Sequence, residues 1–131
     1  MSSRPVYLFV YGRTSRTRGH FAIFVPNASD VGKTPSKTET CKGTVIHVVG
    51  NPMAGFFHEF KRNYNTYASK SLGTVVLLGY IQESLHVDPS SSAFSTDVVA
   101  LGSLDAAALQ VPAPGQSDVR APVDGVSVPF V

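Results

Sequence analysis

Residues 43–61, GTVIHVVGNPMAGFFHEFK, decide the fold. On an extended chain Thr44, Ile46 and Val48 fall on one side, and Val45, His47 and Val49 on the other. After Gly50-Asn51-Pro52 the alternation resumes, with Phe56, His58 and Phe60 on one side. Asn-Pro favours turn initiation, and so short a link suits antiparallel neighbours. The stretch therefore predicts a hairpin of two strands, 43–49 and 55–61.

Working outward, the same period of two recurs at 6–11, 20–25 and 73–81, with turn formers between, so five strands in a meander are expected. GRTSRTRG joins the first two. The polar link 26–42, rich in Pro, Gly, Ser, Thr and Lys, predicts a mobile flap bordering any pocket. Residues 63–71 join the last two strands, and one helical turn there would bring Tyr64 and Tyr67 to one side. Residues 88–95 read as a loop. One helix follows, with Ser103 as N-cap, Asp105 in the first turn and Ala106, Ala107, Ala108 and Leu109 as helix formers, before Pro112 stops it. The expected fold is α+β, mainly β: a curved antiparallel sheet or small barrel of about five strands with one C-terminal helix. Residues 1–111 form its single domain, and 112–131 a Pro-rich extended arm.

At 131 residues and 43% hydrophobic content, the chain can bury a core without staples. Its apolar runs are too short for a membrane helix, and residues 1–4 lead straight into a strand without the parts of a secretory signal. No membrane contact and a cytoplasmic location are expected. Residues 1–70 carry ten Lys/Arg against three Asp/Glu, whereas 71–131 carry one against six. Opposite-sign halves of one domain attract each other, and no reader motif accompanies the basic residues, so nucleic acid is not an expected partner. Lys61, Arg62 and Asn63 read as a solvated strand end, as do Arg13, Arg16 and Arg18 in their link.

His20, His47 and His58 each lie inside an expected strand and share a face with apolar neighbours. Imidazoles so placed can act as acid, base or donor to a substrate carbonyl. Catalytic roles are expected for His20, His47 and Tyr7, and substrate contacts for His58, Tyr11, Phe24, Tyr64, Tyr80 and Cys41. Five tyrosines and eight phenylalanines in a chain without tryptophan can line an aromatic pocket. Cys41, the only cysteine, excludes a disulfide framework and a multi-cysteine zinc site. Beside Lys42 it offers a thiol that His20 or His47 would have to activate. Neither paired His spacing nor a carboxylate cluster marks a metal site, and no Walker loop, GxGxxG, HExxH or GxSxG occurs. Neither metal nor cofactor is expected. His86 lies beyond the last strand, and its replacement by Ala should leave ligand binding or turnover intact, whereas that of His20 should not.

GHFAIFVP followed by KGTVIHVVGNPMAGFFHEFKRNY resembles a group of small, mostly uncharacterised fungal proteins, over roughly residues 5–115. The pattern there is a His-x-Ala-Ile strand, then Gly-Thr-x-x-His-Val and a turn. The His-x-Ala strand is also distantly similar to permuted papain-like domains of the lecithin:retinol acyltransferase and NlpC/P60 type. That likeness implies His20 as the base, with a later cysteine at a helix start as nucleophile, yet no cysteine follows residue 41. In size and chemistry the chain looks like cofactor-free cyclases of fungal natural-product pathways, including Diels–Alder catalysts. The expected function is a cofactor-independent cyclase or isomerase acting on an apolar small molecule, with a homodimer as an option. The alternatives are a non-catalytic ligand- or protein-binding module and a cysteine-dependent acyl transferase or hydrolase using Cys41 and His20.

Overall fold

The computed structural model describes residues 2–12, 20–51, 53–67, 69 and 71–113. Among them six antiparallel strands form one curved, unclosed sheet with a single α-helix. The strands are β1 (Ser3–Tyr11), β2 (His20–Pro26), β3 (Lys42–Asn51), β4 (Gly55–Asn65), β5 (Leu72–Gln82) and β6 (Ser95–Asp97), and α1 spans Ser103–Leu109. Their order across the sheet is β5-β1-β2-β3-β4-β6, so the mainly-β α+β class holds and closure into a barrel does not. The link 13–19, with its three arginines, and the arm beyond residue 113 lie outside the described residues.

The β3–β4 hairpin forms where its pattern predicts, closed by the pair Asn51↔Gly55. Asn51 Oδ1 accepts from the backbone N–H groups of Met53 and Ala54, so the side chain itself stitches the turn. Gly50 has φ +130°, and a Cβ there would meet the Gly55 carbonyl oxygen at 2.2 Å, so only glycine fits.

β4 runs on to Asn65, absorbing the start of the expected link and removing the helical turn proposed for Tyr64 and Tyr67. A register shift opposite Gly43 and Val45 and the left-handed Asn63 (φ 57°) bend the strand while it keeps its partner. Tyr64 is half-buried and Tyr67 exposed. The fourth strand of the expected meander, β4, also acquires an unforeseen neighbour on its far side: three-residue β6, too short for any periodic signal, pairs Ser95, Thr96 and Asp97 with Arg62, Lys61 and Phe60.

Cross-strand partners share a face, so Phe9, Ala22, Phe24 and Val45 lie together and pack with Cys41 and Leu72 as the main core. Phe9 and Phe24 stack with centroids 4.6 Å apart, and complete burial of each ring contributes about 1.5–3 kcal/mol. The other face buries Val25, Ile46 and Phe60.

The expected solvated end at Lys61–Arg62–Asn63 is corrected. Arg62 is 1% exposed, lies 4.6 Å over the Phe60 ring, and donates to Asp97, to Asp105 and to the Val99 carbonyl. Buried Asn63 donates to the carbonyls of Ser91 and Ala93. Arg4, also buried, pairs with Glu83 and Asp88. The attraction between the basic and acidic halves is thus realised as two buried guanidinium clusters.

Ser103 proves to be the first helical residue and Gly102 the N-cap, because Val87 crowds this position: a Cβ on Gly102 would meet Val87 at 3.1 Å. Among the described residues no side chain caps this helix; Asp105 Oδ2 accepts instead from the Leu101 N–H just before the N-cap. His86 is buried and faces Asp88 at 3.5 Å.

Candidate functional site

The β2–β3–β4 order makes the three histidine strands neighbours. Tyr11 pairs with His20 across β1–β2, and His47 pairs with Glu59 across β3–β4. All four lie on the core face, at the end of the sheet where the packed aromatic cluster gives way to an opening. His20 Nε2 is 2.8 Å from His47 Nδ1, and His47 Nε2 is 2.8 Å from Glu59 Oε1. A carboxylate can only accept, so His47 Nε2–H donates to Glu59. A neutral His47 then accepts at Nδ1, and His20 Nε2–H must be the donor. The series leaves the lone pair of a neutral His20 on Nδ1.

These imidazoles border a cavity of about 390 Å3 lined by Tyr11, Gly12, His20, Val45, His47, Lys61, Tyr64 and Ser71. Burial lowers the pKa of His20 below the usual 6.5, and the neighbouring His47 and Lys61 charges act in the same direction. His47 is lowered too, chiefly by burial, with its bond to Glu59 opposing and Lys61 adding to the effect. Both are therefore neutral at pH 7. Burial raises the Tyr11 phenol well above its ordinary value, and hydrogen bonding and charge repulsion with the Tyr64 phenol reinforce this. Tyr11 thus stays a proton donor. Tyr64 bonds Ser69 through its hydroxyl, and Lys61 Nζ sits 5.6 Å from the centre of its ring.

The structure brings His20, His47, Tyr11 and Tyr64 together and puts the other expected site residues elsewhere. His58 is on the opposite face, since it neighbours Glu59 along the strand, and its Nε2–H donates to the Val111 carbonyl. Phe24 is fully buried core. Tyr7 packs at the core edge with its hydroxyl held protonated by burial and by the proximity of Cys41 and Tyr80. Tyr80 is exposed on the edge strand β5. Cys41 is completely buried, its sulfur 3.9 Å from the Asp30 carbonyl oxygen, and burial followed by the Asp30 charge pushes the thiol up to about 11. That is the opposite of an activated nucleophile.

The flap 26–42 does not border the histidine cavity. Asp30 anchors it by accepting from the Lys42 N–H at 2.6 Å, and Thr66 donates to the Glu39 and Cys41 carbonyls. Its Asn27, Ser29, Asp30, Lys33, Thr40 and Lys42 instead line a separate polar cavity with Asn63 and Ser92.

Glu59 and Lys61 are the site residues that the sequence reading missed. Glu59 was within reach: counting equal steps back from Asn51 and on from Gly55 brings His47 and Glu59 face to face. Among the described residues no group of three or more His, Cys, Asp or Glu side chains is arranged to hold a metal ion; the two imidazoles and the carboxylate bond in series instead of converging on a point. No described helix is long and apolar enough to cross a membrane. No curated protein and no solved structure matches the chain. Residues 6–127, nearly the whole length, match one family model, and the chain belongs to that family, described as a family of unknown function (DUF6540).

Proposed function

We propose that this chain is a cofactor-independent isomerase or cyclase working by proton transfer, with His20 as its base. The observation that carries the reading is the series Glu59–His47–His20 ending at a cavity. Glu59 fixes the tautomer of His47, His47 fixes that of His20, and the remaining lone pair can take a proton from a carbon beside a substrate carbonyl. The C–H electron pair moves into the enolate, and the proton resides on His20 Nδ1. It then returns to a different carbon, or the enolate carbon adds to a second carbonyl carbon of the substrate, closing a ring while that C=O π pair moves onto oxygen and takes the proton from His20. Charge developing on the carbonyl oxygen is met by the protonated Tyr11 phenol or the Lys61 ammonium, both on the cavity wall. The Val45 side chain and the two tyrosine rings give an apolar substrate body its contact surface. The arrangement as a whole positions a substrate between a base and donors, from which proton transfer gains about 10²–10⁴-fold. Cys41 adds nothing to this chemistry, being buried with a raised pKa.

Deuterium incorporation next to the carbonyl of 2-tetralone, followed by proton NMR in D2O, tests the reading. The protein should accelerate exchange over an imidazole buffer, and His20→Ala should lower the acceleration by at least about tenfold, on the order of 1.4 kcal/mol. A folded His20→Ala protein with full exchange, or a native protein no faster than buffer, overturns it.

A further inference from the structure

Lys61 is a half-buried cation on the cavity wall whose position calls for an anion that the described residues do not supply. Glu59, two residues earlier on the same face, is bound to His47. The remaining described carboxylates are engaged elsewhere or exposed. Asp97 and Asp105 hold Arg62, Glu83 and Asp88 hold Arg4, Asp30 holds Lys33 and the Lys42 N–H, and Glu39 is exposed. No ion pair of Lys61 is present among the described residues. Its ammonium is instead steered over the Tyr64 ring, on the same cavity wall as His20 and Tyr11.

We infer that the cavity takes a carboxylate, the substrate being a small oxo acid whose carboxylate pairs with Lys61 while its carbonyl faces Tyr11 and its acidic C–H faces His20. The inference deepens the proton-transfer reading of the same site and rests on it for the role of His20, though not for the pairing with Lys61. Three features favour this class. One ammonium matches one negative charge, and it is the sole cation among the described lining residues. Both imidazoles are neutral at pH 7, so they do not compete for the anion. A carboxylate next to the reacting carbonyl would also hold the C–H in register with the base, which is the positioning a single-base site requires.

Titration of nitrogen-15-histidine-labelled protein with benzoate, its neutral isostere benzamide and phenyl phosphate, read from the imidazole resonances, tests the pairing. Benzoate should bind at least about tenfold more tightly than benzamide. Lys61→Met should abolish that preference, and Lys61→Arg should retain it. The preference should survive in His20→Ala, so failure of the base assignment and failure of the anion assignment are separately visible. Equal affinity for benzoate and benzamide, a preference untouched by Lys61→Met in a folded protein, or tighter binding of phenyl phosphate than of benzoate overturns the inference. If Lys61→Met fails to fold, loss of the preference in Lys61→Gln supports it and retention refutes it.

Discussion

The two faces of the β3–β4 hairpin carry polar clusters that spend their hydrogen bonds in different ways. On one face Arg62 directs all three of its nitrogens at Asp97, Asp105 and the Val99 carbonyl, and both Arg62 and Asp105 are about 1% exposed. That network is shut off from solvent around Arg62 and Asp105 and ties β6 and α1 to the sheet, although Asp105 Oδ1 has no partner in it. On the other face each bond of the Glu59–His47–His20 series leads to the next group, and the last group borders a cavity. The contrast teaches how a buried polar cluster is to be read: a network closed to solvent holds elements in place, whereas one that ends at a cavity has a valence a ligand can reach.

Breaking the closed network should have the larger effect on stability. Arg62→Ala leaves the Asp105 carboxylate buried without its cation, and a loss of about 3–5 kcal/mol is expected from urea unfolding. His47→Ala removes one hydrogen bond to the Glu59 carboxylate and one between neutral imidazoles and should cost less, about 1–3 kcal/mol. If His47→Ala proves the more damaging of the two, the assignment of holding and transferring roles is reversed.

Acid should separate the faces next. Burial holds His20, His47 and His86 below the usual 6.5, so below that pH the unfolded chain binds more protons than the native one. Stability is full above about pH 7 and declines as the pH falls below 6.5. The guanidinium clusters keep their cations throughout this range. Thermal unfolding between pH 7.5 and 5 should show the decline, and a His20→Ala/His47→Ala protein should show a shallower one. An unchanged slope would place the proton uptake elsewhere. Exchange catalysed by His20 should follow the same direction, rising with pH to a plateau by neutrality.

The smallest effect is expected at His58, on the face away from the cavity. Its bond to the Val111 carbonyl is a peripheral one, so His58→Ala should lower stability by no more than about 1 kcal/mol and leave exchange unchanged. A loss of exchange comparable to that of His20→Ala would bring His58 back into the site.

Much of this architecture was legible in the chain. A side-chain period of two is a local property of extended backbone, so the five longer strands and the Asn51 turn could be read directly, though the ends of β1 and β4 could not. The neighbouring of His20 and His47 followed from meander order, and the opposition of His47 and Glu59 from hairpin counting. Arg62 was misread because its partners Asp97 and Asp105 lie 35 and 43 residues away, and a charge beside a strand end looks solvated until distant anions arrive. Likewise β6 has no pattern of its own and exists because it lies along β4.

By itself, then, the sequence determined the β character, the hairpin register and which residue types share a face, because alternation and turn chemistry act over a few bonds. Only the tertiary structure decided that the imidazoles join Glu59 in one line, that Lys61 borders a cavity while Arg62 is sealed, and that Cys41 is buried. Those outcomes depend on burial and on charge partners brought together across the sheet, and both are set when the strands pack.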